Sequence, residues 1–240
     1  MKQFTANKKI LVIQPYYLGD IIFVMAAVQK YVNEGYNVIF PVRDEYLNLK
    51  KNFPTVNIIS INQIPNLIEK YSSIQIIEDE EYITLPFHKS IIRESEHFHM
   101  KNKYNYVDLP LETWRNIQIT RDYEKEKELL NYLNIQDGDK YNLINEFHRP
   151  FFQRTPIVVN NGNKNIYMNK IDGYSLLDWI GVMEKAQSIH TVATSIIFLL
   201  DAMDIMPEDM QIYRRFNENT GGYYDHSAYS YLLNKKYIYH

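Results

Sequence analysis

Cysteine is absent from this sequence of 240 residues, and glycine and proline are scarce, with 8 and 9 residues. The lack of cysteine excludes disulfides, thiolate zinc sites, iron–sulfur clusters and cysteine nucleophiles, and it agrees with a reducing compartment. We therefore expect a cytoplasmic protein. No apolar run approaches the roughly 20 residues that a membrane helix requires, so the sequence predicts no membrane span.

A strong charge of either sign is also missing. The 26 lysine and arginine residues nearly balance 29 aspartate and glutamate residues, which gives a net charge of -3. Such a chain offers no basic face for a nucleic-acid backbone, and we expect a small polar ligand as its partner rather than nucleic acid. The hydrophobic content of 45% is enough for one large core or two modest ones.

Three glycine-based motifs are missing as well. No GxGxxG follows the first apolar segment, and neither GxxxxGK[ST] nor GxSxG occurs in the chain. Dinucleotide-dependent oxidoreductases, P-loop NTPases and α/β-hydrolases therefore lose their main sequence support.

What the chain does contain is a strand–helix–strand pattern near its start. Residues 10–13 are a short run of branched apolar side chains, typical of a strand buried on both faces. Apolar residues then recur at helical spacing over residues 21–32, and residues 37–42 resemble a second strand. Such a unit opens a parallel sheet, and parallel sheets bind ligands where strands end and helices start. Asp20 lies at that place.

Two roles fit Asp20. An aspartate can cap the N-terminus of a helix and complement the helix dipole, which stabilises the helix by about 1 kcal/mol. A carboxylate at the mouth of a sheet can also take a proton from a bound hydroxyl group. Asp20 argues against a secretory signal over residues 8–27, because an aspartate in an inserting segment costs about 2.5–3.5 kcal/mol.

The remaining pattern predicts two successive α/β series. In the first half we expect further helices at residues 43–53 and 63–71 and further strands at residues 56–61 and 74–77. In the second half we expect strands at residues 141–145, 164–168, 188–192 and 211–213, and helices at residues 111–117, 122–133, 175–184 and 196–203. The sequence therefore predicts an α/β fold with two Rossmann-like lobes that face a cleft. The predicted lobes are residues 1–110 and 111–216, and a tyrosine-rich tail, residues 217–240, packs back on them.

Polar residues follow several strands of the second series. Thr194 and Ser195 start a helix, where hydroxyl and backbone N–H groups suit a phosphate, although the same residues are also ordinary helix caps. Glu146, His148 and Arg149 follow a strand, where an arginine can clamp a phosphate and the other two can bind a sugar. Arg214 follows the last strand. We expect the shared sheet edge to bring these residues together.

The histidines His88, His97 and His99 form no recognisable metal site. His97 and His99 have the spacing of two ligands on a strand, but no carboxylate or third histidine has a matching spacing. The sequence therefore favours surface histidines, and we predict no metal site.

Two segments resemble a known family. Residues 10–13 with Leu18-Gly19-Asp20 resemble the strand and "LGD" turn of GT-B glycosyltransferases of the heptosyltransferase-like, family 9-like group. Residues 175–195 are similar to the donor-lobe pattern of that group, which ends in His190-Thr191 and Thr194-Ser195. The resemblance implies that Asp20, next to Gly19, is the base that deprotonates the acceptor. It also implies that His190, Thr191, Thr194 and Ser195 bind the diphosphate of a nucleotide sugar.

The resemblance implies sugar transfer from a nucleotide sugar to a glycan or other hydroxyl acceptor, with no cofactor and no metal. A single base opposite the leaving group implies one displacement, with inversion at the anomeric carbon. Two alternatives remain open. One is a non-catalytic relative that only binds a nucleotide sugar or glycan, and the other is a nucleotide-sugar-modifying enzyme such as an epimerase.

Overall fold

The computed structural model describes residues 1–4, 8–14, 17–64, 66, 76–78, 81–87, 99–148, 153–217, 222–223, 232–234 and 237–240. The chain divides into two units, Met1–Thr120 and Arg121–His240. Each unit holds one five-stranded sheet with parallel strands at its centre. The predicted α/β class with two Rossmann-like lobes is confirmed.

The sheet of the first unit has the strand order β3-β2-β1-β5-β4. Its parallel strands are β1 (Lys9–Val12), β2 (Asn37–Val42), β3 (Asn57–Ser60) and β5 (Tyr82–Leu85), and β4 (Ile77–Glu78) is antiparallel to β5. The central strand β1 pairs Ile10 with Val38 on one side and with Ile83 on the other. Ile10, Leu11 and Val12 are fully buried, as expected of an apolar strand that is covered on both faces.

Helix α1 (Leu18–Asn33) connects β1 to β2, as the sequence predicts. Gly35 follows it with a φ of +89°, a left-handed conformation that glycine adopts easily at a helix end. The helix predicted at residues 43–53 is a 3₁₀ helix, Asp44–Lys51. Most of the helix predicted at residues 63–71 lies outside the described residues.

Two elements of the first unit have no counterpart in the sequence prediction, namely β5 and helix α2 (His99–Asn105). β5 has only four residues, and it pairs along the whole of β1, from Lys9 with Tyr82 to Val12 with Leu85. Its position therefore depends on contacts between residues that are about 70 positions apart in the chain. A local sequence pattern does not contain this information.

The division between the units falls after Thr120, whereas the predicted division falls after residue 110. The 3₁₀ helix Leu111–Asn116 lies between these positions. Its Trp114 is fully buried and stacks on Phe23 of α1, with ring centroids 5.4 Å apart. Gln118 continues the contact, because its backbone N–H donates to Gln29 of α1 at 2.8 Å. These contacts place the segment in the first unit.

The sheet of the second unit has the order β14-β11-β10-β6-β9, and all its strand pairs are parallel. Its strands are β6 (Tyr141–Asn145), β9 (Lys164–Tyr167), β10 (Ser188–Val192), β11 (Asp209–Tyr213) and β14 (Ile238–Tyr239). Two short hairpins accompany it, β7 (Phe147–His148) with β8 (Gln153–Arg154) and β12 (Phe216–Asn217) with β13 (Gly222–Tyr223). β14 belongs to the tail predicted to pack back on the lobes, and it pairs with β11.

In the described ranges of the second unit, the α-helices with defined bounds are α3 (Tyr123–Tyr132), α4 (Ile180–Lys185) and α5 (Ser195–Ala202). Asp122 caps α3 by accepting a hydrogen bond from the backbone N–H of Lys125 at 3.1 Å. A 3₁₀ helix, Leu176–Trp179, precedes α4 and starts with a capping box formed by Ser175 and Asp178. The helix starts predicted near residues 122, 175 and 195 are therefore confirmed.

Candidate functional site

Asp20 lies in the first turn of α1, as the third residue of the helix and directly after Gly19. The predicted capping role is wrong, because Tyr17 is the N-cap residue and no side chain caps the helix. The Asp20 side chain is 23% exposed. Its carboxylate complements the helix dipole, and it lies at the end of the sheet where β1 leads into α1.

The partner of Asp20 is Lys103 of α2, a residue that the sequence analysis did not identify. Lys103 Nζ lies 3.4 Å from Asp20 Oδ1. The ammonium group also donates to the Gln14 side-chain oxygen at 2.6 Å and to the Phe87 carbonyl at 2.9 Å. Gln14 follows β1 and Phe87 follows β5, so the lysine joins the ends of two neighbouring strands to the start of α1.

Lys103 is almost completely buried, with 1% of the residue exposed. Burial lowers the pKa of Lys103, and the nearby Asp20 carboxylate opposes that shift. The pair therefore combines an ammonium group hidden from water with a carboxylate that a ligand can reach. No local pattern distinguishes Lys103 from Lys101, the other lysine of α2 (His99–Asn105), because its burial results from the packing of α2.

Polar side chains also follow β2 and β3 at the same end of the sheet. Asp44 accepts hydrogen bonds from the Ser60 hydroxyl and, at 3.0 Å, from the Asn62 amide. The Arg43 guanidinium lies 5.9 Å from the centre of the Tyr17 ring, which is half exposed. This end of the first unit is therefore suited to bind a polar, hydroxyl-rich ligand.

The corresponding end of the second unit joins β6 to the start of α5 through a buried asparagine. The Asn145 amide donates to the Thr191 hydroxyl at 3.0 Å and to the Thr194 hydroxyl at 3.4 Å. Thr194 is the N-cap residue of α5 but makes no side-chain capping hydrogen bond, and Ser195 is the first helical residue. The structure thus brings together three of the predicted donor-binding residues, Thr191, Thr194 and Ser195. Asn145 was not among the predicted donor-binding residues. The sequence feature that could have identified it is a polar residue at the end of a mostly apolar strand.

Glu146 serves the local structure of the second unit. Its buried carboxylate accepts hydrogen bonds from Arg154 at 2.7 Å and from the backbone N–H of Ile157 at 2.7 Å. His148 is buried in β7, and Arg149 lies outside the described residues. Arg214 is exposed after β11, where its backbone N–H donates to the His240 carbonyl at 3.1 Å.

His190 lies in the middle of β10 rather than at its end, and only 3% of the residue is exposed. Its Nε2 lies 3.1 Å from the Ser188 hydroxyl, and its Nδ1 lies 3.4 Å from the Tyr213 hydroxyl. Burial lowers the pKa of His190, Asp209 opposes this shift and His240 adds to it. The structure therefore places His190 in a polar network on the sheet, with Ser188 and Tyr213.

This burial predicts a pH dependence of stability. A histidine whose pKa is lowered by folding is neutral in both states above its unfolded pKa of about 6.5. As the pH falls below that value, the unfolded state binds the proton first, so the free energy of unfolding decreases. We expect the melting temperature to fall less between pH 7 and pH 5 in His190→Gln than in the wild type. Lys127→Gln, at an exposed position of α3, is the control and should follow the wild type. Equal falls in all three proteins would contradict the prediction.

The described residues contain neither a metal-binding cluster nor a membrane-spanning helix. Within the described ranges, no group of three or more histidine, aspartate or glutamate side chains is placed to hold a metal ion. His99 starts α2, whereas His88 and His97 lie outside those ranges. Of the helices that the structure describes, none has the length and apolar character needed to cross a membrane.

Comparison with known proteins identifies the fold. No protein-family model matches the sequence, and no curated protein sequence matches it. Among solved structures, the glycosyl transferase family 9 protein from Veillonella parvula has a TM-score of 0.55 and 11% identity, over 88% of this chain and 82% of that chain. The ADP-heptose LPS heptosyltransferase II of E. coli has a TM-score of 0.55 and 11% identity, over 97% and 92% of the two chains.

A third solved structure is similar to the same extent. The E. coli heptosyltransferase WaaC with ADP-2-deoxy-2-fluoro heptose has a TM-score of 0.50 and 11% identity, over 97% of this chain and 92% of that chain. Identities of this size support a shared fold and nothing finer. The fold is the one that the LGD turn and the donor-lobe pattern imply, and this chain therefore has the GT-B fold of family 9 glycosyltransferases and heptosyltransferases.

Proposed function

We propose that this protein transfers a sugar from a nucleotide-sugar donor to a hydroxyl group of a glycan or other acceptor, with Asp20 as the general base. One observation carries the proposal. In a glycosyltransferase fold, a partly exposed carboxylate at the end of the central strand is ion-paired with a buried lysine. A base in this position can accept the proton of a bound hydroxyl group.

In the proposed reaction, the acceptor oxygen forms a bond to the anomeric carbon of the donor sugar. The bond from that carbon to the diphosphate oxygen breaks, and its electron pair leaves with the diphosphate. The acceptor proton passes to the Asp20 carboxylate. Since the acceptor oxygen attacks opposite the leaving group in one displacement, the anomeric configuration is inverted.

We assign the donor to the second unit. Support comes from the Thr194 and Ser195 hydroxyls and the start of α5, which suit a diphosphate, and from Asn145, which orients the Thr191 and Thr194 hydroxyls. His148, Arg149 and His190 remain proposed donor-binding residues, and Glu146 and Arg214 remain further candidates. We further propose that no metal or cofactor takes part and that the protein acts in the cytoplasm, which agrees with its lack of cysteine.

Product analysis tests this function against its alternatives. Purified protein is incubated with radiolabelled nucleotide sugars and a mixture of glycan acceptors, with and without a chelator. We expect the label to move to an acceptor with inverted configuration, at a rate that the chelator does not change. A label that stays on the nucleotide in a different sugar would indicate an epimerase, and binding without reaction would indicate a non-catalytic relative.

The donor assignment predicts stabilisation by a free nucleoside diphosphate. At about one hundred times its Kd, such a ligand stabilises the folded state by about 2.7 kcal/mol, which raises the melting temperature by several degrees. Thr194→Val removes one hydroxyl and keeps the shape, so we expect it to lose most of that shift. Thr120→Val, at an exposed threonine of the first unit, should keep the shift. An undiminished shift in Thr194→Val would exclude Thr194 from the donor site.

A further inference from the structure

We propose that Lys103 is the positioning residue of the reaction, which fixes one oxygen of Asp20 and leaves the other oxygen for the acceptor proton. This inference rests on the proposed function, because it concerns the same base. It adds a residue that neither the LGD turn nor the donor-lobe pattern contains.

The geometry of the ammonium group is the first argument. An ammonium group has three donors, and the contacts of Lys103 account for three of them. Gln14 and the Phe87 carbonyl accept at 2.6 and 2.9 Å, while Asp20 Oδ1 is more distant at 3.4 Å. The two shorter contacts anchor Nζ to the ends of β1 and β5. The cation is thus held by the sheet, and Asp20 is oriented by the cation.

The second argument is the burial of Lys103. Removing an ammonium group from water is costly, and replacing both partners of a buried ion pair by apolar residues of similar volume is often neutral for stability. A methionine would fill the same space between α2 and the sheet. Packing therefore does not require a lysine at this position, where only 1% of the residue is exposed. An ammonium group is required, however, to hold the nearby Asp20 carboxylate in place.

The third argument is the arrangement of the two carboxylate oxygens. Lys103 Nζ lies 3.4 Å from Asp20 Oδ1, and no contact to Oδ2 is found within the described part of the chain. Oδ2 is therefore the oxygen that we assign to the acceptor hydroxyl.

Lys103→Met tests the proposal, with Lys101→Met as the matched control on the exposed side of the same helix. We expect Lys103→Met to lower kcat about 10²-fold, the cost of a misplaced catalytic group, with little change in the KM for the donor. Lys101→Met should match the wild type in both constants. An unchanged kcat in a folded Lys103→Met protein would overturn the proposal.

A second variant keeps the proposal testable. If Lys103→Met does not fold, Gln14→Met removes the 2.6 Å anchor of Nζ and keeps the charge. It should lower kcat with little change in the KM for the donor, and an unchanged kcat in the folded variant would overturn the proposal. A wild type that transfers no sugar would overturn the proposed function instead.

Discussion

Asp20→Asn is expected to lower sugar transfer by about 10²–10⁴-fold, the usual contribution of a positioned general base. Asparagine keeps the size of aspartate, and its side-chain oxygen can still accept a hydrogen bond from Lys103 Nζ, which lies 3.4 Å from Asp20 Oδ1. The basic carboxylate is lost. Product formation is measured for both proteins with one accepted donor and acceptor, well below the melting temperature of each.

A loss of folding has to be separated from a loss of the base. Because Tyr17 rather than Asp20 is the N-cap residue of α1, the substitution removes no cap. It removes the charge of one partner of the Lys103–Asp20 ion pair, and thermal unfolding of the variant measures that cost directly. Glu34→Gln, at the exposed end of the same helix, is the control and should transfer sugar at the wild-type rate. A folded Asp20→Asn protein with near wild-type transfer would show that another group is the base.

The parts of the fold that the sequence predicts are those with a strong local pattern. Strands β2 and β6 have the predicted bounds, because each is a continuous, mostly apolar run limited by polar residues. The helix that starts near Ser175 carries its own signal in the Ser175–Asp178 capping box. The Leu18-Gly19-Asp20 motif likewise places Asp20 in the first turn of α1, the helix that follows β1, although its predicted role as a cap is wrong.

The parts that the sequence does not predict depend on contacts between distant segments. Strand β5 is identified by its pairing with β1, and the segment Leu111–Asn116 by the packing of Trp114 on Phe23. Lys103 is the strongest case. As one lysine in a short polar helix it resembles a surface residue, and only the approach of Gln14 and Asp20 makes it part of a site.

Arg121→Met is expected to destabilise the second unit by about 3–5 kcal/mol, because it leaves a buried carboxylate without its cation. Arg121 binds Glu126 through two hydrogen bonds of 2.8 and 2.5 Å, and it reaches Glu184 of α4 at 2.6 Å. The Glu126 side chain is only 4% exposed. A Cβ atom at Gly181 of α4 would lie 2.8 Å from Glu126 Oε2, so the helix leaves the carboxylate little room to move towards water.

The double substitution Arg121→Met with Glu126→Met decides whether charge is the cause. Replacing both partners of a buried ion pair by apolar residues is often nearly neutral, so the double variant should recover most of the lost stability. Lys185, the last residue of α4, forms an exposed ion pair with Asp137. Lys185→Ala breaks this pair and should leave the unfolding midpoint almost unchanged. Urea unfolding is followed by fluorescence, in which Trp179 reports on the second unit and Trp114 on the first. If the single and the double variants are equally destabilised, the loss comes from packing of the arginine stem rather than from the uncompensated charge of Glu126.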